Sequence, residues 1–556
     1  MRGPGIPRRG CRFRSVTRSG RRPNILIVMA DQLAPHFTGA YGHPVVQTPA
    51  LDALAGRGVR FDAAYCNFPL CAPSRFSMLS GQMPASIGAW DNGAEFAASV
   101  PTLTHYLRLL GYRTTLSGKM HFIGPDQLHG FEERLTTDIY PSGFALTPDW
   151  EAASVPPSDW YTMASLSEAG PVVTNYQHDF DEEAGFAAVR HLYDLARATD
   201  DERPFFLVAS FTHPHDPYEA RQRWWDLYDH DDIDLPDPIA PDAVDPHTRR
   251  LWRGIGAEGV GATPEQCRSA RHGYYANTSY FDSWLGRLVE LLDETGRTDD
   301  TVVIAIADHG DMLGDRGTFF KMCFFERAAR VPFVMAGPGV ANRAVPDVCS
   351  LVDLLPTLLD IATDGDDGGW PEMSTPPAGR SLWELASSGG AGAGDNSGGG
   401  NSDGGGSSGG GTNGNRSDSS DAAGEAFGEY TSVLTTQPMF MIRRGRHKWI
   451  HCEGDPPLLY DLVDDPLERN NLAADPAHAE LAAAFAAETA QRWDSAALRD
   501  QVLASQRSRR VVSAATHAAG TPWWDYSPKR NVAGEYVRDG MNWLHTSRGS
   551  RIPTPR

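Results

Sequence analysis

The chain has 556 residues and a formal net charge of −21, with 71 acidic residues against 50 basic ones. This balance disfavours a nucleic-acid partner, because phosphate binding requires a basic face, and no apolar run approaches the roughly 20 residues that span a bilayer. The seven cysteines are scattered, which fits neither a disulfide framework nor a paired-cysteine zinc site and favours a reducing, cytoplasmic location.

Lysine is rare in this sequence. An acidic, lysine-poor composition resembles that of proteins from a high-salt, halophilic cytoplasm, where screening relieves the repulsion between like charges. Because arginine is so strongly preferred here, a retained lysine suggests a need for a point-charge ammonium that a planar guanidinium cannot replace. The four lysines are Lys119, Lys321, Lys448 and Lys529.

The first element along the chain is an arginine-rich segment, residues 1–22, which contains no Asp or Glu. It lacks the apolar stretch of a secretory signal. We expect either a disordered basic extension or a start codon assigned too early.

Residues 23–386 alternate short apolar runs with amphipathic segments. Leucine spacing predicts helices over 101–111 and 282–296. Short β-branched runs are typical of strands buried on both faces, so we predict an α/β catalytic domain with a large, mostly parallel sheet flanked by helices. The clearest predicted strands are 24–30, 205–210, 301–307 and 331–336.

Composition changes sharply after this domain. Residues 387–424 contain no aromatic or large aliphatic residue, which predicts a disordered Gly/Ser/Asp-rich insertion. Residues 425–510 indicate a small C-terminal α+β domain, with short strands followed by a helix from about residue 475. Residues 511–556 form a tail whose aromatic stretch, 521–543, has no periodicity and is expected to pack on the body or on a partner subunit.

Polar residues follow two of the predicted strands at the point where each ends. Asp31 and Gln32 follow the first strand, and Asp308 and His309 follow the strand over 301–307. Ligand sites of open α/β sheets gather at the carboxyl ends of strands, and this mostly oxygen donor set suits Ca²⁺, Mg²⁺ or Mn²⁺. Either pair alone could instead serve as turn or helix-cap residues.

The stretch PLCAPSRFSMLSGQMP, residues 69–84, predicts a helix start. Proline is favoured in the first helical turn, so Pro73 places Cys71 just before the helix and Arg75 about one turn into it. The positive end of the helix dipole lowers a thiol pKa and attracts anions. Cys71 is therefore either a buried structural thiol or a thiolate nucleophile or modified residue beside an oxyanion.

Cys71 to Arg75, followed by Leu79, Ser80 and Gly81, match the signature C-x-P-S-R-x-x-x-L-x-G. On this motif the chain resembles the sulfatase family, in which the cysteine is oxidised to formylglycine by a maturation enzyme. Within the family it looks like the choline-sulfatase branch, which implies an alkaline-phosphatase-like fold with a smaller C-terminal domain. The other motifs that carry the resemblance are ADQ (30–32), GKMH (118–121), HPHDP (213–217), ADHGD (307–311), Lys321 and the tail WDYSP.

The resemblance implies a role for each matching residue. One divalent ion, Ca²⁺ or Mn²⁺, would be held by Asp31, Gln32, Asp308, His309 and the hydrated Cys71. Arg75 would hold the nucleophile, Lys119 and Lys321 would bind sulfate oxygens, His121 would be a base, and His215 would bind sulfate or protonate the leaving alkoxide. The neighbours expected to bind substrate are Asn92, His213 and Asp525.

The implied nucleophile is an aldehyde hydrate, because a thiolate attacking sulfate would form a thiosulfate ester without an easy exit. One hydroxyl of the hydrate displaces the alcohol, and deprotonation of the other expels sulfate. The expected partners are a small sulfate ester, a maturation enzyme and further copies of the chain. The alternatives are a phosphonate monoester or phosphodiester hydrolase of the same superfamily and a non-catalytic anion-binding relative.

The sequence departs from the choline-sulfatase branch at two positions. A tryptophan expected six residues after Tyr140 is Leu146, and an expected glutamate is Val433, whereas Asp525 is retained. Binding of a trimethylammonium group depends on an aromatic face and on carboxylates. We therefore predict that choline-O-sulfate is a weak or secondary substrate, unless Trp150, Trp160 or Tyr161 rebuilds the aromatic cage.

Overall fold

A computed structural model describes residues 22–552 apart from nine gaps, at 153–160, 199–201, 240–243, 259–260, 388–422, 521–522, 530–544, 546–547 and 549. The predicted N-terminal extension up to residue 21, most of the predicted insertion, Trp160 and much of the tail lie outside the described residues.

The strands of the described residues form two principal sheets. The main sheet has the order β10-β2-β9-β8-β1-β6-β3-β4, the second has the order β11-β12-β13-β14, and β5 pairs with β7. The strands are β1 (Asn24–Asp31), β2 (Val59–Tyr65), β3 (Arg113–Gly118), β4 (Glu133–Arg134), β5 (Gly170–Val172), β6 (Phe205–Pro214), β7 (Glu219–Arg221), β8 (Thr301–Ala307), β9 (Phe333–Ala336), β10 (Arg343–Ser350), β11 (Glu425–Tyr430), β12 (Met439–Arg444), β13 (His447–Cys452) and β14 (Leu458–Asp461).

The helices of the described residues flank these sheets. The predicted helix over 282–296 is the end of a much longer helix, α8, because its Thr263–Gln266 capping box lies further upstream. The helices are α1 (Pro49–Ala55), α2 (Cys71–Ser80), α3 (Leu103–Leu109), α4 (Ala164–Ser167), α5 (Tyr176–Arg197), α6 (Gln222–Trp225), α7 (Pro246–Ile255), α8 (Pro264–Glu294), α9 (Glu326–Ala329), α10 (Leu354–Thr363), α11 (Trp383–Ala386), α12 (Ala479–Arg492) and α13 (Ser495–Ala519).

The main sheet is mostly parallel, as predicted. Only β9 runs against its neighbours β2 and β8. Every residue of β1, β6 and β8 is buried, because helices cover both faces of the central strands and an apolar run can be accommodated on either side. The carboxyl ends of these three strands meet at one edge of the sheet, since β1 pairs in parallel with both others.

The second sheet is antiparallel, and it forms the smaller C-terminal α+β domain with α12 packed on it. Phe440 stacks on Trp493, and Trp449 stacks on Phe485 of α12. The helix predicted from about residue 475 begins at Ala479, after a single 3₁₀ turn that Asp475 caps.

The last long helix, α13, was not predicted as a unit, and it runs through the expected boundary at residue 510. It packs on the catalytic domain through Arg509, whose guanidinium forms a two-pronged ion pair with Asp91 at 2.6 and 2.7 Å. The Asp91 side chain is fully buried, and Arg509 also donates to Thr147 Oγ1 at 3.0 Å. The C-terminal helix therefore fixes two loops of the catalytic domain.

The described part of the tail packs on the body of the protein. Packing on the body and packing on a partner subunit were the two alternatives expected from the sequence. Trp523 lies edge-on to Phe144 with ring centroids 5.9 Å apart, and Asp525 accepts a hydrogen bond from the Ser142 backbone N–H at 2.8 Å. The guanidinium of Arg134 lies 5.3 Å from the centre of the Tyr526 ring.

Three of the four lysines are buried in the structure. Lys119, Lys321 and Lys448 are each 0% exposed, whereas Lys529 is exposed. Lys448 lies between Glu326, at 2.6 Å, and Glu468, at 2.8 Å, and so anchors the second sheet to the catalytic domain. No helix of the described residues is both long and apolar enough to cross a membrane.

Replacing Arg509 with alanine should lower the free energy of unfolding by about 3–5 kcal/mol, because it leaves the Asp91 carboxylate buried without its cation. Arg507→Ala is the matched control, since Arg507 lies on the same helix and pairs with Glu151 at the surface. We expect no measurable change for the control. Urea unfolding of both variants measures the difference, and equal stabilities would contradict this account of α13.

Candidate functional site

The core of the site is built at the ends of β1 and β8. Ala30 pairs with Ala307, so the next residues, Asp31 and Asp308, leave the sheet side by side. The chain then turns sharply at Gln32, which has a φ of 66° and donates its backbone N–H to Asp308 Oδ1 at 3.0 Å. The predicted neighbourhood of these strand ends is therefore present.

Four side chains converge here in an arrangement that fits a metal ion. One donor atom each from Asp31, Cys71, Asp308 and His309 lies within 4.8 Å of all the others, and all four residues are buried. His309 Nδ1 lies 3.1 Å from the carbonyl oxygen of Gly310, which leaves Nε2 directed at the cluster, as metal-binding imidazoles require. Two carboxylates and a neutral imidazole are a donor set for a divalent ion.

Helix α2 begins at Cys71 itself, with Leu70 as the residue before it, rather than one residue later as Pro73 suggested. The Ala72 N–H donates to Asn92 Oδ1 at 3.0 Å, so Asn92 caps the helix start. Burial, followed by the Asp31 carboxylate, raises the pKa of the Cys71 thiol to about 11. The predicted lowering of this pKa is wrong, because loss of water and a nearby carboxylate outweigh the helix dipole.

Arg75 holds the two strand ends together. Its Nη2 donates to Asp31 Oδ2 and its Nε donates to Asp308 Oδ2, both at 2.8 Å. Its Nη1 donates to the Lys119 carbonyl oxygen and to Ser210 Oγ, at 2.8 and 2.9 Å. All three charged side chains are 0% exposed, so this guanidinium compensates two buried carboxylates at once.

Lys119 and His121 follow β3 into the site. Lys119 Nζ lies 2.6 Å from Asp31 Oδ2 and 3.7 Å from Cys71 Sγ, and it lies 4.4 Å from the centre of the Tyr140 ring. His121 has a φ of 62°, and neither ring nitrogen has a hydrogen-bond partner among the described residues. Burial and the Lys119 ammonium lower the pKa of His121 to about 3, so its imidazole is neutral.

His215 and Lys321 form a second contact in the buried cluster, where His215 Nε2 lies 3.8 Å from Asp31 Oδ1. Lys321 Nζ lies 2.8 Å from His215 Nε2 and also donates to Gln32 Oε1. His215 Nδ1 lies 2.6 Å from the Asp216 carbonyl oxygen, which identifies Nδ1 as the protonated nitrogen and Nε2 as the acceptor. Burial and the Lys321 ammonium hold the pKa of His215 well below its usual range.

Two of the expected substrate neighbours lie elsewhere. His213 is turned towards α5, where its Nδ1 lies 2.6 Å from Asp181 and its ring centroid lies 4.3 Å from that of His178. Asp525 is exposed and is bonded to the Ser142 backbone, outside the buried cluster. Asn92 is the third expected neighbour, and it does reach the site, through its bond to the start of α2.

Sequence reasoning missed Tyr140, Asp216 and Asp311 as residues that shape this site, and it considered Tyr161 only as part of an aromatic cage for the substrate. Lys321 Nζ lies 4.9 Å from the centre of the Tyr161 ring, as Lys119 does beside Tyr140, so each lysine has an aromatic neighbour. Asp216 and Asp311 both accept hydrogen bonds from the Gln32 amide. The signal for both carboxylates was their position within the HPHDP and ADHGD motifs, whereas the two tyrosines lie in segments without a repeating pattern.

The chain matches the family model described as Sulfatase over residues 23–364 and the model described as Choline sulfatase enzyme C terminal over residues 500–551. The chain therefore belongs to the sulfatase family, and it is a sulfuric ester hydrolase. The family implies a metal ion and a formylglycine in place of Cys71, and the donor cluster around Cys71 fits both.

Among similar proteins is the choline-sulfatase of Rhizobium meliloti, which is 39% identical over 540 residues, covering 96% of this chain and 99% of that protein. An arylsulfatase of Clostridium perfringens is 29% identical over 364 residues, covering 61% of this chain and 75% of that protein. The solved structure of a phosphonate monoester hydrolase of Agrobacterium radiobacter superimposes with a TM-score of 0.62 at 24% identity, covering 87% of this chain and 96% of that one. At this identity the structural match shows the shared fold.

Proposed function

We propose that the buried cluster around Cys71 hydrolyses a small organic sulfate ester with the roles that the sequence suggested for its members. The observation that carries the proposal is the placement of the chain's scarce lysines. Lys119 contacts Cys71 directly, and Lys321 lies between Gln32 and His215. Two fully buried ammonium groups beside one cysteine form an anion site that excludes water, which suits a sulfate group.

Asp31, Gln32, Asp308, His309 and the hydrated residue 71 would hold the metal ion. When bound, the ion would supply Lewis-acid stabilisation of negative charge on the reacting oxygens. The carboxylate and amide oxygens favour Ca²⁺, and the imidazole admits Mn²⁺. The Lys119 and Arg75 cations outweigh burial and hold the pKa of Asp31 well below its usual range, whereas burial raises the pKa of Asp308 to about 6 against the opposing charge of Arg75.

Formylglycine at position 71 would supply a hydrated aldehyde whose hydroxyl attacks sulfur. The Cys71 sulfur marks the position of that group, with Lys119 close enough to bind a sulfate oxygen. His121 would accept the proton of the second hydroxyl when sulfate is expelled. Its neutral, buried imidazole with two unpartnered nitrogens suits a base in this position.

The Lys321–His215 pair would protonate the oxygen of the leaving alkoxide, so that the product departs as an alcohol. His215 is neutral and accepts from the Lys321 ammonium, so the pair holds a transferable proton that the imidazole alone lacks. Such a pair can donate through either member, with Asp216 fixing the orientation of the ring. The role of His215 is therefore shared with Lys321.

His215→Ala and Lys321→Ala should each reduce kcat/KM for an alkyl sulfate by roughly 100-fold or more, because an alkoxide leaves poorly without a proton. The same variants should lose much less on nitrophenyl sulfate, because a nitrophenolate leaves without protonation, and the loss that remains for Lys321→Ala on this ester measures its binding of the sulfate group. Steady-state kinetics on both esters measure the asymmetry. Lys529→Ala, at the exposed lysine, is the control, and equal losses on both substrates would restrict the pair to binding.

We also propose that choline-O-sulfate is a weak or secondary substrate and that a less cationic alkyl or aryl sulfate is preferred. Trp150 does not supply the missing aromatic wall, because it is 3% exposed and its indole N–H donates to the Ser432 carbonyl oxygen. Tyr140 and Tyr161 face the ammonium groups of Lys119 and Lys321. Leu146 and Val433 would therefore leave a substrate cation without its aromatic and anionic partners.

The ratio of kcat/KM for choline-O-sulfate to that for an uncharged alkyl sulfate of similar size tests this specificity. We expect the uncharged ester to be the better substrate. In Leu146→Trp the ratio should shift towards the choline ester by roughly 5- to 30-fold, since a desolvated cation–π contact contributes about 1–2 kcal/mol. A tenfold preference of the unchanged enzyme for choline-O-sulfate would contradict the proposal.

Several broader expectations remain proposals. A formylglycine-generating enzyme would act on Cys71, and a reducing cytoplasm is supported by the free cysteines of the described residues, which form no disulfide.

Homo-oligomerisation is supported by the exposed Val511 and Val512 on α13. A halophilic origin is supported by a surface whose cations are almost all arginines. Among the described residues, no feature of the site favours a phosphonate or phosphodiester substrate over a sulfate ester.

A further inference from the structure

Asp311 is a fully buried carboxylate that lies outside the donor cluster. It bonds both to Gln32 and to the backbone of the residue before Lys321. Its Oδ1 accepts the backbone N–H groups of Leu313 and Phe320, each at 2.9 Å. Its Oδ2 accepts the Gln32 side-chain amide at 2.6 Å and the Tyr218 hydroxyl at 2.9 Å. Four donors therefore converge on one side chain, and no oxygen of Asp311 is left over.

The polarity of these contacts fixes the orientation of the Gln32 amide. Gln32 Nε2 donates to Asp311 and, at 3.2 Å, to Asp216, whereas Gln32 Oε1 accepts from the Lys321 ammonium. An amide rotated by half a turn would place an oxygen against two carboxylates and an NH₂ group against an ammonium. Only one of the two orientations is therefore compatible with its neighbours.

The same carboxylate also holds the loop that leads to Lys321. Phe320, the residue immediately before Lys321, has a φ of 66°, and Met322, immediately after it, has a φ of 73°. Non-glycine residues adopt this left-handed conformation at a cost, so the loop needs external bonds to keep it. The bond from the Phe320 N–H to Asp311 is one of these.

We propose that Asp311 is a positioning residue that presents the Gln32 oxygen to the metal and keeps Lys321 in place beside it. The proposal rests on the proposed function, because it assumes that Gln32 is a metal ligand. Asp216 makes a longer contact with the same amide and does not bond the Lys321 loop, so Asp311 is the main determinant. Outer partners of this kind typically change metal affinity 10–100-fold when they are replaced.

Asp311→Asn tests the proposal with almost no change of shape. The asparagine oxygen must still accept from Leu313 and Phe320, so its NH₂ group takes the place of Oδ2 and faces Gln32 Nε2. The Tyr218 hydroxyl can rotate to accept, but neither orientation of the Gln32 amide is then satisfied. In the present orientation its NH₂ group faces the NH₂ group of the asparagine, and in the reversed orientation its NH₂ group faces the Lys321 ammonium and the metal. Calorimetric titration of the chelator-treated full chain with Ca²⁺ and with Mn²⁺ should show affinity lowered roughly 10–100-fold.

A second substitution should reverse this effect. In Asp311→Asn combined with Gln32→Glu, one glutamate oxygen accepts from the new NH₂ group and the other faces the metal, so affinity should recover most of the loss. Gln32→Glu alone directs a carboxylate at Asp311 and Asp216, and it should not bind metal more tightly than the unchanged chain. Tighter binding by this single variant would overturn the proposal, even if Asp311→Asn failed to fold.

Asp353→Asn is the matched control, because Asp353 is also buried and its side-chain hydrogen bonds with the described residues come from the backbone N–H groups of Ser350 and Arg380. It should alter the thermal midpoint and leave metal affinity unchanged. Gln32→Ala tests the ligand role of Gln32 separately from the positioning role of Asp311. Unchanged metal affinity in this variant would refute the ligand role of Gln32 in the proposed function. With that role intact, wild-type affinity in Asp311→Asn, or no recovery in the double variant, would overturn the positioning role itself.

Discussion

The charge balance around Arg75 is the constraint on which the site depends. Asp31 and Asp308 leave neighbouring parallel strands side by side, and two buried carboxylates at that distance repel each other. One guanidinium, itself 0% exposed, bonds to both, while Lys119 adds a second buried cation. The sheet edge can therefore hold two buried carboxylates close together, each within 2.8 Å of a buried cation.

The rest of the fold excludes water from these charged groups and holds the loops around them in place. The central strands are covered on both faces, Lys448 anchors the second sheet beside the Lys321 loop, and Arg509 on α13 holds the loop that carries Asn92. The Lys448 and Arg509 connections are both made by buried ion pairs. Such pairs contribute little to net stability but are costly to break, so they favour one arrangement of the parts.

Much of this could be predicted from the sequence, because the relevant signals are local. Apolar runs located the central strands, and the polar residues at their ends, together with the Cys71 signature, identified the four side chains that the structure brings together as a possible metal site. The prediction that the pKa of the Cys71 thiol is lowered was wrong, because it took only the helix start into account. Burial and the Asp31 carboxylate raise this pKa instead. The roles of Tyr140, Asp311 and α13 depend on contacts between distant segments, which no local pattern records.

The central claim is that residue 71 acts as a formylglycine rather than as a thiol. The tryptic peptide of residues 61–75 contains Cys66 as well as Cys71, so it carries its own control for alkylation. Mass spectrometry of the active enzyme after treatment with iodoacetamide should show one alkylated thiol, at Cys66, and an aldehyde or its hydrate at position 71. Two alkylated cysteines in this peptide from fully active enzyme would contradict the account.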